Sequence, residues 1–196
     1  MTRPLFTIRY GVPEVHRRPA ATLYHEAFRR KLTPIVGADE RAVNLLTEGL
    51  NLAHGIAALS DEQLVGVAGV HHRTEHFANV SPSALIRTFG WWSALKRILF
   101  GTLLERSVAE GELLMDGIAV DSAWRGKGVG TALLHAVIAF AREHEYRTVR
   151  LEVVDTNPSA KRLYERVGFM AMQTQQTGWL TRRLGFEAVT TMFKIV

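Results

Sequence analysis

Residues Arg125-Gly126-Lys127-Gly128-Val129-Gly130 run directly into Thr131-Ala-Leu-Leu-His-Ala-Val-Ile, a segment of helical periodicity, so a basic, glycine-spaced turn opens a helix. Chemically that is a cradle for an anion. Glycines let the backbone approach a ligand and take positive φ at little cost, and the first N–H groups of the helix point at whatever sits there. Spacing excludes two nucleotide motifs: a dinucleotide fingerprint needs a further glycine where this chain has Thr131 or Leu133, and no Lys-Ser or Lys-Thr pair follows a glycine as in a P-loop. Two carboxylates lie nearby in sequence. Asp116 stands in the apolar run Leu113-Leu-Met-Asp-Gly-Ile-Ala-Val120 that precedes the turn, and Glu152 stands in Thr148–Val154. There Val149, Leu151 and Val153 alternate with Arg150, Glu152 and Val154, so Glu152 points away from Leu151. His71, His72, Glu75 and His76 are metal-ligand types, with His72 and His76 four apart, but they lead into the loop-like Asn79-Val-Ser-Pro82. A helical zinc site needs a further ligand at defined spacing, so no metal is expected.

The elements that position these residues follow from periodicity. Leu113–Val120 reads as a strand ending in Asp121-Ser122, and Gly117 marks a bulge that splays it. After the turn, Val129, Ala132, Leu133, Ala136, Val137 and Phe140 form one apolar helical stripe. Asn157 suits a helix N-cap, Pro158 the first helical position, and Gly168 the left-handed residue that closes the helix ahead of Phe169. Toward the N-terminus the pattern gives a strand at 6–10, helical stretches around 20–32 and 39–50, and strands at 54–59 and 64–70 joined by Ser60-Asp-Glu-Gln. The tail reads as a strand over 170–176, a helical turn over 179–184 and a strand over 186–196. This order predicts an α/β fold, a mixed central sheet flanked by helices on both faces.

Arg125-x-x-Gly128-x-Gly130, set between a strand and a helix, resembles the pyrophosphate-binding turn of the GNAT superfamily of acyl-CoA-dependent N-acetyltransferases. Asn157-Pro-Ser-Ala-Lys-Arg-Leu-Tyr-Glu-Arg-Val-Gly-Phe169 is similar to the second signature of that family, an Asn followed by a helix bearing Tyr and ending in Gly-Phe. Together the two segments cover residues 113–169. The resemblance implies that the backbone of Ile118, Ala119 and Val120 hydrogen-bonds the pantetheine arm of acetyl-CoA, as a strand pairs with a peptide. It implies that Arg125, Gly126, Lys127, Gly128, Val129, Gly130 and Thr131 hold the diphosphate, and that Asn157 fixes the cofactor near the helix it starts. Tyr164 matches the tyrosine that donates a proton to the coenzyme thiolate.

The reaction implied is direct transfer of an acetyl group from acetyl-CoA to a primary amine, because the chain has no cysteine for a thioester acyl-enzyme. The amine must be neutral to attack, so a base or solvent removes its proton. Glu152 is the first candidate: it faces away from Leu151 and sits five residues before Asn157, as does the catalytic glutamate of the ribosomal-protein alanine acetyltransferases that Leu-Glu-Val resembles locally. Asp116 and solvent are the alternatives. The amine acceptor, a small molecule or a peptide N-terminus, is not specified by any motif.

Composition agrees with one domain over residues 1–196: 47% hydrophobic and 22% charged residues can build one core. A net charge of +5 raises nucleic acid as a partner, yet the basic pairs Arg17-Arg18, Lys96-Arg97 and Arg182-Arg183 are scattered and lack interleaved aromatics, so none is expected. Zero cysteines and an N-terminus without a long apolar run point to the cytoplasm. Residues 71–107 read as a helical insertion before the cofactor strand. Within it, 85–104 carry a stripe through Leu85, Phe89, Trp92, Leu99 and Leu103, interrupted by Arg87, Lys96 and Arg97, which excludes a transmembrane span. A lid over the acceptor pocket is the first reading, and a homodimer contact or membrane-surface attachment through 84–106 stands beside it. Two other classes stay open: a non-catalytic acyl-CoA-binding module, and a membrane-surface or oligomeric interaction protein.

Overall fold

The computed structural model describes residues 5–72, 74–103, 108–176 and 185–196. It contains a seven-stranded mixed sheet in the order β1-β2-β3-β4-β5-β7-β6. Strands β1 (Thr7–Tyr10), β2 (Gly55–Ser60), β3 (Gln63–His71) and β4 (Glu112–Val120) form an antiparallel meander, and β5 (Thr148–Val154) joins β4 in parallel. β7 (Ala188–Ile195) pairs antiparallel with β5 and with the edge strand β6 (Met170–Gln176). Helices cover both faces, as the element order predicted. On one side α6 (Val129–Glu143) and α7 (Pro158–Arg166) bury Leu133, Val137 and Tyr164 against Leu113, Met115, Leu151 and Val153. On the other, α1 (Arg17–Ala27), α2 (Arg29–Val36) and α3 (Glu40–Gly49), with α4 (Pro82–Phe89) and α5 (Trp91–Leu103), gather Tyr24, Leu45, Leu46, Phe77 and Leu85 over Ala57, Val67 and Ala119.

The local signals worked where the chemistry is local. Ser60 pairs with Gln63 across a two-residue hairpin whose central residues, Asp61 and Glu62, take φ of 44° and 62°. Asp39 caps α3 by accepting from the Arg41 N–H, and Ser81 caps α4 by accepting from the Ala84 N–H.

Three expectations need correction. The helical stretch around 20–32 is two helices, because Phe28 leaves helical geometry (φ −111°, ψ 18°) and turns its ring toward the sheet. Among the described residues of the insertion over 71–107 only Pro82–Phe89 and Trp91–Leu103 are helical; His71 still belongs to β3, and 72 and 74–81 are irregular. Its apolar stripe is not continuous either. Gly90, at φ 75°, ends α4, and α5 restarts in a new direction, so Leu85 is buried while Trp92 and Leu99 are exposed. The helical turn expected at 179–184 lies outside the described residues, as does the end of the insertion at 104–107.

The bulge at Gly117 is present, and it is where the sheet serves a site. Gly69 pairs with Gly117 but Val70 pairs with Met115, so Asp116 is the extra residue of a β-bulge. Parity along β4 shifts accordingly: Leu113 and Met115 face α6 before it, and Ile118 and Val120 do so after it. Phe28 points the tip of its ring at Gly117, with its Cζ closer to where a Cβ would stand than any real contact allows. Gly117→Ala is therefore expected to cost about 2 kcal/mol as overpacking, lowering Tm by about 4–8 °C in a thermal melt. An unchanged melting point would mean that the ring does not pack there.

Candidate functional site

β4 and β5 stay paired for three steps only, Glu112 with Thr148, Leu113 with Val149 and Leu114 with Arg150. Beyond Leu114 the two strands diverge into a wedge. An ion pair between the Arg150 guanidinium and the Glu112 carboxylate, at 2.7 Å and largely shielded from water, clamps the closed end. Past it, β4 keeps its bonds to β3 through Val120, so the edge of β4 turned toward β5 is released over Ile118, Ala119 and Val120. Main-chain donors and acceptors on such an edge suit an extended amide-bearing chain.

The wedge leads straight to the glycine turn. After β4, Asp121 accepts from the Ala123 N–H and starts a single 3₁₀ turn, Ser122–Trp124, that hands the chain to Arg125. Gly126 and Gly128 adopt φ of 76° and 85°, and a Cβ at either would meet nothing within 4 Å, so the space beside both is open. Gly128 is the residue that starts α6, whose first helical bond runs from the Ala132 N–H to the Gly128 carbonyl at 3.0 Å. The N–H groups of Val129, Gly130 and Thr131 accordingly have no intrahelical acceptor and carry the positive end of a 15-residue helix. Exposed cations flank them: Arg125 donates through Nε to the Val120 carbonyl at 3.4 Å, and the Lys127 ammonium lies 4.9 Å over the Trp124 ring. Gly130 itself lets α7 close in, with Leu163 Cδ2 3.1 Å from its missing Cβ position. Strand edge and helix start thus supply what a polar arm ending in a diphosphate needs.

Asn157 caps α7 by accepting from the Ala160 N–H at 3.2 Å, and its Oδ1 also takes the Ser159 hydroxyl at 2.9 Å. Tyr164 is fixed by the other end of the same helix. The Phe169 N–H donates to the Tyr164 carbonyl and the Gly168 N–H to that of Glu165, both at 3.0 Å, with Gly168 at φ 92°. The Tyr164 and Phe169 rings meet across this motif at 6.2 Å. Burial pushes the Tyr164 phenol up to about 12. Its hydroxyl is therefore neutral, a hydrogen-bond donor, over the whole physiological range.

Both carboxylates face the α1 side of the sheet. Glu152 lies two residues past Arg150, on the face opposite buried Leu151 and Val153, and is half-buried. Asp116 lies two residues past Leu114 on the other arm of the wedge. Its Oδ2 accepts from the Phe77 N–H at 3.0 Å, and its Oδ1 stands 3.8 Å from Nδ1 of His76. Tyr24 donates to the Asp116 carbonyl at 3.5 Å; burial, and then the Asp116 charge, raise its phenol pKa. Tyr24 and Phe28 were not singled out by sequence, and His76 was weighed only as a partner of His72. The glycine at 117 was the available signal for Phe28, since a strand glycine marks close approach.

The histidines fall differently from their spacing. His71 and His72 are neighbours on a strand end and go to opposite sides, so it is His71, not His72, that meets His76, with ring centroids 3.7 Å apart. His72 instead receives or gives a hydrogen bond at 2.8 Å with the Tyr146 hydroxyl and lies edge-on to Phe140 and His144. Glu75 turns away, toward Nε2 of His54 at 3.2 Å.

Among the described residues no helix is long and apolar enough to cross a membrane. The sequence model described as "Acetyltransferase (GNAT) family" matches residues 20–169. Streptothricin acetyltransferase A of Bacillus subtilis (strain 168) is 40% identical over 76 residues, 39% of this chain and 44% of that protein. N-acetylaspartate synthetase of Homo sapiens is 36% identical over 85 residues, 42% of this chain and 28% of that protein. The matched segment thus spans less than half the length of these curated relatives. The solved structure of a ribosomal-protein-alanine N-acetyltransferase from Brucella melitensis superposes over 97% of this chain and 99% of its own, with a TM-score of 0.63 at 20% identity.

Proposed function

The chain belongs to the acetyltransferase (GNAT) family, and from that premise we propose that it moves an acetyl group directly from acetyl-CoA to a primary amine. The observation that carries this reading is the continuous path from the open edge of β4, through the turn at 125–128, to the unpaired N–H groups that begin α6. In this reading Ile118, Ala119 and Val120 bind the pantetheine amides, Arg125 to Thr131 hold the diphosphate, and Asn157 supports the arm beside the start of α7. The amine enters from the α1 side, where Asp116 and Glu152 attract an ammonium ion.

Glu152 removes one proton from that ammonium, and the freed nitrogen lone pair attacks the thioester carbonyl carbon. As the C–N bond forms and the C–S bond breaks, the sulfur leaves as a thiolate, and the second proton of the acylated nitrogen neutralises it. Tyr164 assists by hydrogen bonding. An ordinary thiol ionises near 8.5, so a phenol held near 12 cannot surrender its proton to the thiolate without an uphill step of several kcal/mol. Its contribution is then that of one donor to a developing negative charge. Tyr164→Phe is expected to lower kcat about tenfold, while KM for acetyl-CoA changes less than twofold. An unchanged kcat in steady-state assays would remove Tyr164 from the reaction.

The reading as a whole is tested by a thiol-release screen against simple amines, amino acids, polyamines and N-terminal peptides. Amine-dependent release of CoA supports it. Tight binding of acetyl-CoA in calorimetry, with no release across the panel, supports a binding module instead.

A further inference from the structure

His71, His76 and Asp116 each present one ligand atom within 4.8 Å of the other two, on the α1 face of the sheet at the head of the wedge. We propose that these three side chains form a binding site for a divalent cation of the zinc class. Three different elements bring them together. His71 ends β3 opposite Leu114, Asp116 is the bulged residue of β4, and His76 comes from the irregular stretch that follows β3.

Several features distinguish the arrangement from a chance meeting of polar groups. Two imidazoles and one carboxylate are a donor set that suits zinc, with a fourth position left for water. The carboxylate is already oriented: the Phe77 N–H holds Oδ2 at 3.0 Å, which leaves Oδ1 turned toward His76. That is the supporting bond a metal-ligating carboxylate ordinarily has. The neighbouring residue is rigid as well, because Phe77 is fully buried and fills the space over Gly55 and Gly69, where a Cβ would stand 2.6 Å and 2.5 Å from its ring.

The distances permit closure. Bonds of about 2.1 Å in tetrahedral geometry put ligand atoms about 3.4 Å apart. His76 and Asp116 stand at 3.8 Å, so only a small movement is needed there. His76 can supply it, since its side chain is 33% exposed and lies outside any strand or helix. His71 is buried and fixed by the strand, and provides the rigid anchor. The consequence for turnover rests on the proposed function: a bound ion occupies Asp116 and His76 on the acceptor side, so it competes with the amine and not with acetyl-CoA.

The test uses tag-free, chelator-treated protein titrated with Co²⁺ and followed by visible absorption, a readout independent of transferase activity. At about 50 μM protein, one equivalent is expected to develop the intense bands of a tetrahedral site. His76→Gln and Asp116→Asn should each weaken binding at least about tenfold, and His72→Gln, on the opposite side, should leave it unchanged. Circular dichroism and acetyl-CoA calorimetry on the same samples show that the variants are folded. The absence of bands in the wild-type protein would overturn the proposal, as would wild-type affinity in either His76→Gln or Asp116→Asn. Because acetyl-CoA binding is measured separately, failure of the metal site is distinguishable from failure of the acetyltransferase reading.

Discussion

Gly128→Val is expected to weaken acetyl-CoA binding at least about a hundredfold while leaving the fold intact. Gly128 holds φ 85° at the residue that starts α6, in a region where a β-branched side chain costs about 1–3 kcal/mol. The chain can escape that strain only by rotating the turn, which swings the N–H groups of Val129, Gly130 and Thr131 away from a common focus. If it does not escape, the new side chain occupies open space beside the glycine, the space the diphosphate needs. Either way charge-assisted hydrogen bonds are lost, each worth about 1.5–3 kcal/mol, and two of them account for more than the 2.7 kcal/mol of a hundredfold change. Stability responds less, because nothing packs against this position; a fall in Tm of under about 12 °C is expected. Wild-type affinity for acetyl-CoA in Gly128→Val would detach the turn from cofactor binding.

Glu152→Gln is expected to reduce kcat about a hundredfold near neutral pH, the lower end of what a positioned base contributes. The amide keeps the shape and polarity of the side chain but cannot take a proton. The residual rate of the variant should come from amine already deprotonated by solvent, so it should rise with the concentration of free amine. Acetyl-CoA affinity should change little. If kcat is unchanged, the base is elsewhere, and Asp116→Asn is the next variant: it is the carboxylate on the other arm of the wedge, held by the Phe77 N–H.

Much of this architecture could be read from local signals. Alternation of Val149, Leu151 and Val153 fixed β5 and the side to which Glu152 points, and Asn157, Pro158 and Gly168 bounded α7 because capping depends on a few adjacent residues. Gly117 announced the bulge. What local signals do not carry is register between distant strands. That β4 and β5 part after Leu114 and Arg150 depends on pairing across residues far apart in sequence, so the mouth of the wedge, and the nearness of Asp116 and Glu152 to it, emerged only from the fold.

The same limit applied to α5. Its apolar residues satisfied a helical stripe, but Gly90 redirected the helix, and Trp91, Trp92, Leu95 and Leu99 ended outside. Among its described side chains only Ala94 is fully buried, while Arg97 reaches the Ile35 carbonyl at 3.0 Å and stacks 3.8 Å from the Phe89 ring. The pairing of His71 with His76 was similarly out of reach. It required knowing that β3 runs through His71, which sends His72 to the opposite side.

The most direct measurement is calorimetric titration of the purified protein with acetyl-CoA beside S-acetylpantetheine, which carries the same thioester and amides but no diphosphate. If the glycine turn and the start of α6 hold the diphosphate, acetyl-CoA binds with a micromolar-range constant and S-acetylpantetheine at least about a hundredfold more weakly. Equal affinities for the two, or no heat with acetyl-CoA at millimolar concentration, would contradict the account.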